Sequence, residues 1–162
     1  MTTTQPETPE PSSTPVEFNY EAWLAEAAKH RAEFATQLIP LKTSMFDFLE
    51  NHGIVLVTVD FDGSGDSGQI EGIFAFDEHG EVALPTEGFV APSEVDEAPI
   101  DAPEPIKDAI ETLAYDLLET EHDGWEINDG AYGEFRFDVI ERSITLTCNL
   151  RFTSSELSES SW

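Results

Sequence analysis

The sequence has few positive charges. Seven Lys and Arg residues stand against 34 Asp and Glu residues, which gives a formal net charge of −27. No Lys or Arg occurs from Thr43 to Ile106. Nucleic acids and anionic membranes are themselves polyanions, so this balance argues against direct binding to either one. The charge favours the binding of cations and of basic protein surfaces.

Cysteine and long apolar runs are also scarce. Cys148 is the single cysteine, so an intrachain disulfide is excluded. The first residues lack the basic and apolar pattern of a secretory signal peptide. No segment approaches the roughly 18 consecutive apolar residues of a membrane span. These absences predict a cytoplasmic protein.

The chain nevertheless carries enough apolar residues for one domain with a real core. It has 162 residues, of which 40% are hydrophobic. Residues 1–17 are rich in Thr, Pro, Ser and Glu, a composition that predicts a disordered acidic tail. We expect residues 18–152 to form a single domain and residues 153–162 to form a flexible C-terminal tail.

Apolar periodicity predicts about three helices. The first runs from Phe18 to Ile39 and is ended by Pro40, and the second follows from Leu41. His52 and Gly53 provide a stop signal for the second helix. A third helix is predicted over residues 106–121, after a long proline-rich loop over residues 85–105.

Four or five strands are predicted between and after these helices. "IVLVTVDF" and "IEGIFAF" read as two strands, and "EVAL" reads as a short third strand. "GEFRFDV" and "SITLTCNLRF" alternate apolar and polar residues, as a hairpin with one buried face does. The predicted fold is therefore α+β, an antiparallel sheet packed against helices.

The segment "DFDGSGDSGQIE", from Asp60 to Glu71, is the first candidate site. Its oxygen-bearing side chains follow the ligand spacing of an EF-hand loop, with Gly65 at the sharp turn. This spacing indicates a calcium-binding module, and Ca²⁺ is the only cofactor that the sequence indicates. The flanking strands are unlike an EF-hand, so a glycine-rich hairpin loop is the alternative. The candidate ligands are Asp60, Asp62, Ser64, Asp66 and Glu71.

A second glycine-rich segment, "HDGWEINDGAYGEF", runs from His122 to Phe135. Trp125 and Tyr132 are large for a connecting loop, which indicates either internal packing or function. If this segment meets Asp60–Glu71, their carboxylates could recruit a divalent metal for hydrolysis. A metal-dependent hydrolase is thus a further alternative.

The blocks "FDGSGDSGQIE" and "GWEINDGAYGEFRFDVIERSITL" resemble an uncharacterised family of small acidic domains encoded in bacterial, plasmid and phage genomes. The resemblance covers about Leu41 to Phe152. It implies a mobile-element context and supplies no catalytic residues.

The charge then leads to the main functional hypothesis, a non-catalytic acidic interaction protein that mimics nucleic acid. A charge of −27 equals that of roughly 14 base pairs of duplex. The expected partner is the basic surface of a nucleic-acid-binding complex, such as a defence complex that a phage or mobile element inhibits. The oligomeric state is left open. The candidate partner-binding carboxylates follow the second predicted strand or lie in the proline-rich loop: Asp77, Glu78, Glu81, Glu87, Glu94, Asp96, Glu97, Asp101 and Glu104.

Overall fold

The computed structural model describes residues 19–92 and 102–161. The predicted tail at residues 1–17 lies outside this range. The described part is α+β, as predicted. Its helices and strands, in chain order, are α1 Tyr20–Asn51, β1 Leu56–Phe76, β2 Glu81–Val82, β3 Gly88–Phe89, β4 Glu104–Pro105, α2 Ile106–Glu121, β5 Ile127–Asp138 and β6 Ser143–Leu150.

Helix α1 corrects the prediction of two helices that break at Pro40. It is a single helix of 32 residues with Pro40 inside it, so the described chain has two helices where about three were predicted. Its N-terminus is capped by Asn19, whose side chain accepts a hydrogen bond from the Ala22 N–H at 3.0 Å. The helix continues past Pro40 because Leu38 and Leu41 pack against the same core on either side of it.

Strand β1 contains both strands that were predicted around Asp60–Glu71. It has 21 residues and includes the whole glycine-rich segment. β5 pairs with its first half, on both sides of a bulge between Gly63 and Gly65. The chain reverses within β1, because the Val55 N–H, just before the strand, donates to the carbonyl of Phe76, its last residue, at 2.8 Å. A straight strand of this length would hold those two groups about 65 Å apart, so the predicted hairpin is present inside β1.

The main sheet has four strands in the order β2-β1-β5-β6, and its described pairs are antiparallel. The predicted hairpin of β5 and β6 is confirmed, although β5 begins at Ile127 rather than after the second glycine-rich segment. The predicted strand "EVAL" shortens to the two residues of β2. The predicted third helix is confirmed as α2.

The core lies between one face of this sheet and the two helices. Neither described helix combines the length and hydropathy that a membrane crossing requires. No described polar or charged residue is fully buried. The inner face of the sheet contributes Val57, Val59, Phe61, Phe135 and Phe137, and the helices contribute Met45, Phe46, Leu49, Ile106, Ile110, Leu113 and Leu118.

Candidate functional site

The two glycine-rich segments pack against each other around Trp125. This side chain is buried at the turn between α2 and β5. A Cβ atom on Gly63 would lie 2.6 Å from Cζ3 of the indole, and a Cβ atom on Gly68 would also lie 2.6 Å from it. Phe61 meets the same ring edge-to-face, with centroids 5.5 Å apart. These glycines therefore leave the space that the indole fills.

Gly130 has a related role on the facing strand. Its φ of +76° favours glycine, and a Cβ atom there would overlap the carbonyl group of Gly63. The strands β1 and β5 approach each other at the bulge because neither residue has a side chain. Packing thus explains most of the unusual composition of the two glycine-rich segments.

The calcium candidates lie on both arms of β1 and at the reversal between them. Asp60 and Asp62 are half-buried, while Ser64, Asp66 and Glu71 are exposed. Glu71 accepts a hydrogen bond from Gln69 at 2.8 Å. In the described part of the chain, no three His, Cys, Asp or Glu side chains are grouped as metal ligands. Calcium binding by this segment stays a prediction.

Asp62 is held by an arginine from two strands away. Arg151 donates Nη1–H to Oδ1 at 3.0 Å and Nη2–H to Oδ2 at 2.7 Å. Its guanidinium carbon lies 4.5 Å from the ring centroid of Tyr132, a cation–π distance. The hydrogen bonds from Arg151 hold the pKa of the Asp62 carboxyl below its ordinary value. Asp62 is therefore the best-neutralised of the five candidate ligands.

The second glycine-rich segment does meet the first, as the hydrolase alternative requires. Asp60 lies opposite Glu134 in the β1–β5 ladder, which places two like charges side by side on the outer sheet face. His122 and Asp123 lie at the other end of the segment, next to α2. The two segments thus share a ladder, and the described part of the chain has no catalytic constellation enclosed in the core.

The predicted partner-binding carboxylates divide into four sets. Asp77 accepts hydrogen bonds from the backbone N–H groups of His79 and Gly80, at 2.7 and 2.9 Å, and so closes the turn before β2. Glu87 lies 2.8 Å from His52. Glu78 and Glu81 are exposed, and Glu104 is half-buried in β4. The remaining four, Glu94, Asp96, Glu97 and Asp101, lie outside the described residues.

A family of unknown function, DUF6878, has a sequence model that matches residues 38–162. The chain belongs to this family. The match includes both glycine-rich segments and confirms the resemblance to an uncharacterised family. Comparisons with curated proteins and with solved structures give no match. The first 18 residues of α1 precede the DUF6878 match, so the helix begins outside the matched region.

The described residues of this DUF6878 protein also form a groove that the sequence reading missed. It lies between the N-terminal half of α1 and the C-terminal half of α2 and has a volume of about 730 Å³. We call it the acidic groove. Six carboxylates, one arginine and His30 line it, together with the apolar side chains of Trp23 and Phe34. The charged residues are Glu26, Glu33, Asp116, Glu119, Glu121, Asp123 and Arg31.

The carboxylates from α2 and from the turn after it have no cationic partner among the described residues. No Lys, Arg or His nitrogen lies within 4.0 Å of Asp116, Glu119, Glu121 or Asp123 in that part of the chain. Desolvation raises the pKa of the Asp116 carboxyl. By contrast, Arg142 forms ion pairs with Asp47 and Glu50 at 2.7 and 2.6 Å, so its charge is already paired within the chain.

The spacing of the groove carboxylates in the sequence predicts each row of the acidic groove. Asp116, Glu119 and Asp123 recur at spacings of three and four residues, which places them on one side of α2 and its C-terminal turn. Glu26 and Glu33 lie seven residues apart on α1, close to two helical turns. Helical spacing identifies each row separately, but only the fold places the two rows across one groove.

Proposed function

We propose that this protein is a non-catalytic interaction protein whose acidic groove binds a basic surface of a nucleic-acid-binding protein. The observation that carries the proposal is the row of carboxylates on α2 and in the turn after it, which have no cationic partner in the described part of the chain. They face Glu26 and Glu33 of α1, whose carboxylates lie near His30 and Lys29. A partner's Lys and Arg side chains would supply the missing counter-charges. The carboxylates would then take the place that phosphates occupy in nucleic acid.

The groove offers apolar surface as well as charge. Trp23 is 49% exposed and stacks with Tyr20, with ring centroids 5.9 Å apart. An exposed aromatic beside carboxylates suits a partner that brings both apolar and basic side chains. Tryptophan is enriched among the residues that dominate binding energy in protein interfaces. We therefore expect Trp23 to anchor the partner and the carboxylates to orient it.

The proposal includes the class of partner that the sequence indicated. A complex that cuts or silences foreign nucleic acid has a basic channel for its substrate, and an acidic protein of phage or plasmid origin would block that channel. The net charge of −27 supports this choice, because electrostatic steering accelerates association with a basic surface.

Charge-neutral substitutions test the groove directly. The full chain, immobilised at low salt, is used to capture proteins from a lysate of its source organism, and the most enriched basic protein is purified for binding measurements. The groove variant combines Asp116→Asn, Glu119→Gln and Asp123→Asn. The matched control combines Glu141→Gln, Glu156→Gln and Glu159→Gln, which removes the same charge from exposed residues outside the groove.

We expect the groove variant to bind at least about tenfold more weakly and the control to stay within about twofold of the wild type. Trp23→Ala should weaken binding by a similar factor without changing the charge. Equal losses in the groove variant and the control would show that total charge, rather than the groove, attracts the partner. Capture of no nucleic-acid-binding protein would contradict the proposed function itself.

A further inference from the structure

Strand β6 forms one edge of the main sheet. It pairs with β5, and no other strand of the described residues pairs with it. The Arg151 N–H donates to the Gly130 carbonyl, which continues the β5–β6 ladder. This bond shows that Arg151, and every second residue before it in β6, is hydrogen-bonded to β5. Backbone groups of alternate residues point to opposite sides in an antiparallel pair. Ile144, Leu146 and Cys148 therefore direct their N–H and C=O groups away from β5, toward the open edge.

This edge lacks the features that usually prevent further pairing. The eight residues "SITLTCNL" contain no charged residue, no proline and no glycine. Natural edge strands are protected by such residues, by bulges or by being very short. The opposite edge fits that description, because β2 has only two residues. In a chain with a net charge of −27, eight consecutive uncharged residues on a sheet edge call for an explanation.

An apolar groove lies beneath the same edge. It has a volume of about 510 Å³, and the half-buried side chains of Ile144, Leu146 and Cys148 line it together with Leu38 and Leu117. We call it the edge groove. A single added strand would satisfy the open backbone groups, but the apolar side chains below also need a cover.

Several of the few basic residues of the molecule lie around β6. Lys42, Glu121 and His122 line the edge groove. Arg142 precedes β6 and Arg151 follows it, and both are bound to carboxylates of their own chain. Arg136 lies opposite Thr145 in the ladder. Four of the seven basic residues of the chain thus lie at or beside this edge, and β6 itself carries no charge.

The uncharged strand and its neighbouring basic residues select among the possible occupants. A basic partner gains little at an edge that already holds its own arginines, and it is drawn instead to the acidic groove. A second copy of this chain presents the same uncharged strand and the same edge groove. Two copies bring one uncharged strand against another, with Glu121 as the single carboxylate that lines each edge groove, although their net charges repel at longer range.

We infer that β6 pairs with β6 of a second copy, antiparallel and about a two-fold axis. The contact is isologous, as in most homodimers. It joins two four-stranded sheets into one of eight strands, and it brings the two edge grooves together so that each covers the other. The acidic groove shares only Glu121 with the edge groove, so the rest of its lining stays open in the dimer.

Sedimentation equilibrium of the full chain provides the first test. Dimers are expected to be favoured when sodium chloride is raised from about 0.05 M to about 0.5 M, because salt screens the repulsion between copies. The variant Thr145→Asp places a charge on the open edge. The control Thr58→Asp places the same charge on the same sheet face, in the central strand β1. Both threonines flank Arg136, one on each side, so their effects inside one chain are matched.

We expect Thr145→Asp to weaken dimerisation at least about tenfold and Thr58→Asp to change it by less than about twofold. Hydrogen exchange measured by NMR gives a second, independent readout. The amides of Ile144, Leu146 and Cys148 should become protected as concentration rises, while those of Thr145 and Thr147, already bonded to β5, should stay protected throughout. A chain that stays monomeric in high salt, equal effects of the two variants, or unchanged exchange at the three amides would overturn the inference.

Discussion

Arg151 and Asp62 form an ion pair across β5, the strand that lies between β1 and β6. The guanidinium and the carboxylate form two parallel hydrogen bonds, at 3.0 and 2.7 Å, over the top of β5. Arg151 also donates to the carbonyl of Gly63 at 3.0 Å, at the bulge itself. This bidentate contact is the stronger form of an ion pair, and it fixes the sheet where both glycine-rich segments meet.

The variant Asp62→Asn tests this contact through its pH dependence. The folded pKa of Asp62 lies below its ordinary value of 3.8, so the charged carboxylate stabilises the fold above that pH and the stabilisation is lost as the pH falls through the folded pKa. The stability difference between wild type and variant should therefore be present at pH 7 and shrink in acid. Urea unfolding at a series of pH values measures it. A difference that grows in acid would contradict the contact.

His52 provides a prediction of the opposite sign. Its Nδ1 lies 2.7 Å from the Phe48 carbonyl and its Nε2 lies 2.8 Å from Glu87. Both neighbours are acceptors, so the doubly protonated ring satisfies both, and the pKa of His52 is raised above 6.5. Its contribution to stability is complete below pH 6.5 and is lost as the pH rises through the folded pKa.

An NMR titration of His52 measures this pKa directly. We expect a value above 6.5 in the wild type and a lower one in Glu87→Gln, which keeps a hydrogen-bond acceptor but removes the charge. A matched substitution at the exposed Glu78 should leave the titration unchanged. A midpoint below 6.5 in the wild type would show that the contact with Glu87 does not persist in solution.

Gly65 and Gly130 have similar φ angles, so substitutions at these two residues distinguish the cost of backbone strain from the cost of steric overlap. Gly65 has a φ of +71° and open space around its Cβ position, whereas Gly130 has a φ of +76° and faces the Gly63 carbonyl. Gly65→Ala should cost about 1–2 kcal/mol through backbone strain alone. Gly130→Ala adds a clash with β1 and should cost more than about 4 kcal/mol or prevent folding. Similar unfolding free energies for the two variants would disprove the close approach of the strands.

The fold class and the β5–β6 hairpin could be predicted because both follow from local sequence patterns. Alternation in "GEFRFDV" and "SITLTCNLRF" identified β5 and β6 because one sheet face is buried. The break expected at Pro40 was wrong because apolar residues on both sides of it pack against one core. Glycines at residues 63–68 predicted a turn, and the chain does reverse within β1. The pattern did not show that Gly63 and Gly68 also leave the space for Trp125. Their partner is about 60 residues away in sequence, and no local pattern reveals such a contact.

The calcium hypothesis makes a prediction that the structure sharpens. Titration of calcium into the chelator-treated full chain should give heat, and this heat should disappear in the double variant Asp60→Ala, Asp62→Ala. Arg151→Gln should strengthen binding, because it frees both oxygens of Asp62. Absence of heat in both the wild type and Arg151→Gln would contradict a calcium site on β1, and so would heat that survives the double variant.

Competition with duplex DNA tests the central claim, that the acidic groove occupies the nucleic-acid site of a basic partner. The purified complex of this protein with its captured partner is titrated with a duplex of about 14 base pairs, and release is followed by fluorescence anisotropy of the labelled protein. The claim predicts complete displacement, with an apparent affinity that falls linearly on a logarithmic salt scale as phosphate-like contacts are screened. A stable ternary complex of partner, DNA and this protein would contradict it.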